Sequence, residues 1–387
     1  MPPIESLPVQ TSVSQLHSAD APSAWLLTQY PSSNSDDTIF QNRTKFQIHD
    51  PFPPPPRELL QVLGPHHLMC AWGKDMVVSS QTEPDPRLLQ HWANVLGDDW
   101  VPEWKPFDPA QDFVTLFPHE SLPAERQLVP PEVNYRLHSK EIIETINFSQ
   151  AKVLDQVAPP CVVKLSHGYA GLGNFFIRSA FDESMMREQI AQQWPDASLV
   201  INQLIENIVG DTGIQFYLRK DGSVVWLGLT QQQFNAKARW CGGVFTASEQ
   251  EDGRHRYEAA VLATARCLRS HGYFGVIGID VLTDADGQQF LVDVNPRLTG
   301  VTPFLMASRR FADQGLTEGV YVASQTFDGS LDELYAAVES TNSASNAVVL
   351  VLSACENKGT PTTICHLSVS STSQADNRQM LQQLVRE

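Results

Sequence analysis

The stretch that decides the fold covers residues 275–300 and reads GVIGIDVLTDADGQQFLVDVNPRLTG. Asp286-Gly287 is a strong two-residue turn signal between two β-rich arms, so the segment reads as a β-hairpin. With those two residues as the turn, Ala285 faces Gln288, and counting outward Asp280 faces Asp293. Side chains directly opposite share one sheet face, with Cβ atoms about 5 Å apart. Asn295, two residues past Asp293, joins that face. The other face carries Ile277, Ile279, Val281, Phe290, Val292 and Val294 and is apolar. A four-residue loop keeps this assignment, whereas a three-residue loop breaks it. Two like charges directly opposite destabilise a hairpin unless one takes up a proton or a cation sits between them. An oxygen-only set made of Asp280, Asp293 and Asn295 favours Mg²⁺ or Mn²⁺ over Zn²⁺. The plain alternative is a solvated face with incidental carboxylates. Pro296-Arg297 shifts the balance away from it. Proline ends the strand, and the Arg297 guanidinium then stands where it can stabilise negative charge on a transferring phosphoryl or a tetrahedral centre. A simple ion pair with one aspartate is the competing role for that arginine.

A second informative run lies upstream, CVVKLSHGYAGLGNFFIRSA at 161–180. Lys164 sits inside a β-branched run, where a lysine is unusual unless its ammonium meets an anion. Gly168, Gly171 and Gly173 follow closely, and such spacing lets backbone N–H groups approach phosphate oxygens. The loop returns to a strand instead of opening a helix, which argues against a dinucleotide fingerprint. It also lacks the Gly-Lys-Ser/Thr ending of a Walker A loop. Alone it reads as a mobile hairpin. With Lys164 before it and the acidic hairpin downstream, a nucleotide site is the better reading.

Composition bounds the rest. The chain has 387 residues, a formal net charge of −17 and 42% hydrophobic residues, enough for two or three domains with real cores. The acidic balance, with no Lys/Arg stripe, excludes a nucleic-acid partner as an expectation. Six cysteines without a C-x-x-C pair read as scattered reduced thiols. No basic start leads into an apolar run, and the longest apolar stretch, near 347–355, is too short to span a bilayer. The expectation is a soluble cytoplasmic protein with no membrane partner.

Along the chain, the first twenty or so residues are polar and expected to be loose. Strands are expected at 24–30 and 76–80, a helix at 86–96 ending at Gly97, and a stiff FPPPP spacer at 52–56. A helix is expected over 139–146 with Ser139 as its cap. Strands follow at 161–165, 175–178, 199–205, 213–218 and 223–229, and helices at 182–193 and 257–271. After the hairpin come a helix at 331–339, a polar linker at 340–346, strands at 347–352 and 363–369, and a helix at 374–385. The fold class is α/β (α+β).

Together these features resemble the ATP-grasp superfamily, over roughly residues 134–307. The order is a lysine at a helix start (Ser139-Lys140), the strand lysine Lys164, the glycine-rich flap, an extended hinge at 201–206 and the Asp293-Val294-Asn295-Pro296-Arg297 ending. That ending is the most specific element. The resemblance implies two α+β subdomains after a small pre-ATP-grasp α/β domain, with boundaries at 1–133, 134–205 and 206–387. It implies that Lys140 and Lys164 hold ATP phosphates under the flap, that Gln203, Leu204 and Ile205 read adenine, and that Asp211 holds the ribose. Asp280, Asp293 and Asn295 would ligate the metal, and Arg297 and Lys164 would act in catalysis. Members usually carry Glu where this chain has Asp280 and Asp293, which leaves room for longer metal distances or a bridging water. The segment Thr230-Gln231-Gln232-Gln233 with Gly242-Gly243 is similar to amino-acid and peptide ligases. The expected activity is therefore ADP-forming amide-bond formation between a small carboxylic acid and an amine through an acyl-phosphate, in a possible homodimer. The rivals are a nucleotide-binding module without ligase activity and an acid–thiol (CoA) ligase.

Overall fold

The computed structural model describes residues 4–8, 11–32, 37–49, 57–168, 173–236, 239–357 and 359–385. The proline run at 52–56 lies outside them. Residues 4–8 and 11–20, expected to be loose, carry a strand and a helix. A short strand, β1 (Glu5–Ser6), adds in parallel to the large sheet, pairing Glu5 with Val225 and Ser6 with Trp226. Ser12 then caps a helix, Val13–Asp20, in a capping box with Gln15. The average polarity of this region hides four well-spaced apolar residues, Ile4, Leu7, Val13 and Leu16, all buried. Arg254 and Arg309 pin the carbonyls of Ile4 and Leu7 at 2.8 and 2.6 Å.

Three sheets follow. The first is parallel: β2 (Trp25–Leu27) lies between β3 (Val78–Ser79) and β4 (Phe113–Thr115). The helix Pro86–Leu96 beside it begins with Asp85 capping the Arg87 amide and ends at Gly97, whose φ of 93° suits a residue without Cβ. The second sheet is antiparallel, with β5 (Cys161–Leu165) between β6 (Asn174–Ile177) and β7 (Leu199–Gln203). It keeps a small core of its own around Val163, Leu165, Ile177 and Met186.

The third sheet is large. Its members are β8 (Ile208–Leu218), β9 (Val224–Phe234), β10 (Trp240–Thr246), β11 (Gly275–Asp284), β12 (Gln289–Asn295), β13 (Glu318–Phe327), β14 (Val348–Glu356) and β15 (Thr363–Ser371). They stand in the order β12-β11-β8-β9-β10-β13-β15-β14, with β1 beside β9. Strands β8 and β9 run well past the apolar segments that announce them, through Gly210-Asp211-Thr212 and Thr230-Gln231-Gln232-Gln233. Those polar ends still pair, Thr212 with Gln231, because the backbone ladder does not depend on apolar side chains. The residues expected as a polar linker at 340–346 instead extend the helix Leu331–Ala344. Their polar groups bond locally: the Asn342 side chain donates to Val349 O and accepts from Val349 N, at 3.0 and 2.7 Å. The expected helix over 139–146 is a 3₁₀ helix, Lys140–Thr145, capped by Ser139.

The hairpin β11–β12 reaches the expected pairing by an unexpected route. Its loop is one residue longer than the turn signal suggests. Asp284 N donates to Gln288 O at 3.0 Å, leaving Ala285-Asp286-Gly287 as a three-residue loop with Gly287 at φ 80°. Thr283, Leu282 and Val281 therefore face Gln289, Phe290 and Leu291. A bulge at Val292 then inserts one extra residue, so that Asp280 faces Asp293 after all. The apolar face changes accordingly. Leu291 is buried, while Phe290 and Val292, expected on the core face, are only partly so. Ile277, Ile279, Val281 and Val294 pack with Leu291 against Ala260, Val261 and Leu268 of the helix Glu258–Ser270.

Close backbone approach sets one clear test of this sheet. A Cβ at Gly242 would lie 2.0 Å from the Tyr321 carbonyl oxygen, and the residue holds φ at 153°. Gly242→Ala is expected to cost at least ~2 kcal/mol by forcing β10 and β13 apart. Thermal melting reads the loss, and an unchanged Tm would contradict this pairing.

Candidate active site

Asp280 lies on β11 between β12 and β8, facing Asp293 on one side and Gly213 on the other. Burial, then the facing Asp293 and the nearby Asp211, push the Asp280 carboxyl well above the ordinary carboxylate range. Asp293 goes the other way. Burial would raise it, but the Lys140 and Lys164 ammonium groups outweigh burial and hold it below its usual value. The pair thus splits into a neutral and an ionised member when no cation sits between them. Asn295 donates from Nδ2 to Asp293 Oδ2 at 3.3 Å and accepts at Oδ1 from Arg297 Nη2 at 2.9 Å. Among the described residues no group of three or more His, Cys, Asp or Glu is placed to hold a metal. A cation here would rely on two carboxylates, a carboxamide oxygen and substrate oxygens. That donor chemistry fits Mg²⁺, which keeps few protein ligands.

Asp211 faces Leu282, two residues along β11 from Asp280, and so shares its sheet face. Burial raises its pKa from 3.8 to about 6. A carboxyl raised on folding favours the folded state below its unfolded pKa, and that benefit is lost as pH rises through about 6. Asp211→Asn, without nucleotide or divalent cation, is therefore expected to raise Tm at pH 8 by up to ~3 kcal/mol of stability and to change little at pH 4. Equal effects at both pH values would contradict the burial of an ionisable group there.

Two lysines stand beside the carboxylates, Lys140 from the 3₁₀ helix and Lys164 from β5 of the second sheet. Lys140 opens its 3₁₀ helix, its amide donates to Ser166 O at 2.8 Å, and its Nζ donates to Asp293 Oδ1 at 2.5 Å. Its side chain is only 9% exposed, so this pair is nearly dry. Lys164 Nζ donates to Val292 O at 2.7 Å, the carbonyl at the β12 bulge. Burial lowers the Lys164 pKa, and the Asp293 charge partly offsets it. A cleft runs beside both ammonium groups, bounded by Asn202 of β7 and by Leu291 and Val292 of β12.

Arg297 is buried. Its guanidinium donates to Asn295 Oδ1 and to Leu298 O, and its Nε has no partner. Its central carbon lies 5.0 Å from the Phe117 ring and 5.9 Å from the Tyr30 ring. Both rings belong to the N-terminal region, which thereby reaches the carboxylate face through cation–π contact.

The flap is anchored at its base. His49 and Gly168 form a parallel bridge, and His49 N donates to His167 O at 3.1 Å. The His167 ring stacks on Tyr135 at 3.8 Å, so this loop histidine serves packing. Gly173 has φ 87° and approaches the Leu165 side chain so closely that a Cβ would lie 2.7 Å from it. Gly171 lies outside the described residues. At the expected hinge, β7 ends at Gln203 and not at Ile205. The Gln203 and Leu204 amides donate to Lys152 O and Pro160 O at 2.8 and 3.4 Å. Those two N–H groups are engaged within the small subdomain and are not presented to a base.

The structure thus brings together Lys140, Lys164, Asp280, Asp293, Asn295 and Arg297. The sequence reading missed Phe117 and Tyr30, which carry no local motif. It also missed Gly213, and it noted Thr230 and Gln232 only within a segment similar to amino-acid and peptide ligases, without placing them on the carboxylate face where the pairing of β8, β9 and β11 puts them.

Residues 139–295 match the family model described as L-aspartate–L-methionine ligase, ATP grasp. The chain is 22% identical over 206 residues to the [butirosin acyl-carrier protein]–L-glutamate ligase of Niallia circulans, with 49% of each protein covered. The chain therefore spans about half the length of that curated relative. Among solved structures it superposes on N5-carboxyaminoimidazole ribonucleotide synthetase bound to ADP. The TM-score is 0.51 and the identity 12%, over 82% of this chain and 93% of the other. The Staphylococcus aureus N5-carboxyaminoimidazole synthetase with ADP gives the same TM-score at 13% identity, over 79% and 88%.

Proposed function

Given that this chain has the ATP-grasp fold, we propose that it is an ADP-forming carboxylate–amine ligase. The observation that carries the reading is the meeting of Asp280 and Asp293 with two buried lysines at the edge of the large sheet. Nucleoside triphosphate needs both halves: cations for its phosphates and oxygen ligands for its metal. Mg²⁺ bound at Asp280, Asp293 and Asn295 would supply charge neutralisation on the phosphates.

The chain's own groups then divide the work. Lys140 from its 3₁₀ helix and Lys164 from β5 neutralise charge as the γ-phosphoryl moves. The substrate carboxylate oxygen bonds to phosphorus, the bond to ADP breaks, and an acyl-phosphate results. An amine then bonds to the acyl carbon as the carbon–oxygen bond to phosphate breaks. Arg297, its guanidinium carbon 5.0 Å from the Phe117 ring, faces the oxyanion of that step. Asp211 lies farther along the same face and is proposed for the ribose. Gly168, Gly173 and the outlying Gly171 are proposed to cover the phosphates, and the segment 203–205 to border the adenine.

Both names found among the relatives are amino-acid ligases, which supports an amino acid as one substrate. Among the described residues no helix is long and apolar enough to cross a membrane. The test is mass spectrometry of products formed from ATP and a mixture of amino acids. An amide accompanied by stoichiometric ADP is expected. ATP binding with no ADP from any acid–amine pair would favour a binding module, and product only with added thiol would favour a CoA ligase.

A further inference from the structure

One hydroxyl on the carboxylate face is stranded. Thr230 is fully buried, yet its Oγ has no hydrogen-bond partner. It faces Gly213 across β8–β9, and Gly213 faces Asp280 across β8–β11. A single row across four strands therefore reads Asp293, Asp280, Gly213, Thr230. The position a Cβ would take at Gly213 lies 3.5 Å from Thr230 Oγ, 3.5 Å from the Gln232 carboxamide nitrogen and 3.6 Å from Asp280 Oδ1. Three polar atoms from two flanking strands surround one bare point. A second glycine, Gly243, flanks the same hydroxyl from β10, where a Cβ would lie 3.5 Å from it, in ordinary contact. Neither glycine has a positive φ. Their backbones are ordinary strand, so what the two positions provide is space.

A buried hydroxyl without a partner is costly, and such groups in native structures call for a reason. Valine would fill the same volume without that cost. The niche offers a hydroxyl, a carboxylate oxygen and a carboxamide. The lysines of the site are engaged on the β12 side, with Asp293 and Val292. The Gln232 nitrogen is itself a donor, so the free acceptor at this point is the Thr230 hydroxyl, beside the Asp280 carboxyl, and it suits a group that brings an N–H. We propose that the niche over Gly213 is the docking point of the incoming primary amine, with Thr230 accepting an N–H bond and so positioning the nitrogen. This rests on the ligase reading. The ammonium loses one proton to water before attack. The C–N bond forms as the acyl C–O bond breaks, and phosphate leaves with the electron pair and the second proton.

The experiment compares the full-length wild type, Thr230→Val and Thr230→Ser. ATP and the amino-acid mixture supply the acids, and amino-acid methyl esters serve as amines that cannot act as acids. Thr230→Val is expected to raise the amine KM at least ~10-fold, to lower the ratio of amide to released phosphate, and to leave Tm equal or higher, because no bond is lost. Thr230→Ser is expected to restore the ratio. A wild-type KM and ratio in Thr230→Val would overturn the niche alone. A fall in Tm in Thr230→Val would mark Thr230 as structural and overturn it as well. No amide from the wild type would overturn both this proposal and the ligase reading.

Discussion

Asp293→Asn is expected to abolish ADP release and to lower stability, whereas Asp280→Asn is expected to abolish ADP release while leaving stability intact. The two residues face each other in one hairpin, so the asymmetry has to come from their surroundings. Asp293 is the counter-charge of Lys140, a pair with 9% and 25% of its side chains exposed. Removing the negative charge leaves a nearly dry ammonium uncompensated, at a cost of a few kcal/mol, toward the ~3–5 kcal/mol seen when fully buried pairs are broken. Asp280 has no such duty. Burial and the like charge of Asp293 already push it to the neutral form, and a carboxamide imitates a neutral carboxyl. Both lose a proposed metal oxygen. Outer-shell changes alone cost 10–100-fold in metal affinity or activity, so losing a ligand should cost at least ~10²-fold in kcat. Parallel thermal melts and coupled ADP assays separate the two effects. Equal destabilisation by both variants would contradict the division of charge described for the pair.

Arg297→Lys is expected to reduce amide formation by about 10²–10³-fold, the range for loss of one oxyanion donor, while ATP binding changes little. The reason lies in geometry. The guanidinium is fixed by Asn295 Oδ1, Leu298 O and the Phe117 ring. A lysine keeps the charge but cannot present a planar fork to all three. Phe117→Leu is expected to show a weaker version of the same defect. In the Arg297→Lys background it should add little, because the stacking it removes is already gone. Fully additive losses in that double-mutant cycle would show that Phe117 acts elsewhere.

Much of this site was legible in the hairpin sequence, and the reasons are physical. A β-hairpin has a side-chain period of two, so Asp280 and Asp293 could be placed on one face by counting. The count was right although the loop was wrong, because the bulge at Val292 compensates the extra loop residue. No local residue announces such a bulge. The same bulge presents the Val292 carbonyl to Lys164, a contact invisible from either segment alone. Lys140 was singled out by the family resemblance, as a lysine at a helix start, yet its partner across 153 residues was not. Phe117 and Tyr30 act on Arg297 from the loops that follow β4 and β2, and tertiary contacts of that kind leave no periodic trace. The start of the chain was misread because average composition outweighed four apolar residues at the spacing of a strand and a helix.

The most direct measurement follows oxygen. Amino acids labelled with ¹⁸O in their carboxylates are supplied with ATP, and the released phosphate is analysed by mass spectrometry. Activation through an acyl-phosphate moves one carboxylate oxygen onto the phosphoryl group, so inorganic phosphate should carry one ¹⁸O and the nucleotide product should be unlabelled ADP. Label appearing in AMP, or phosphate released without label while the amide forms, would contradict the account.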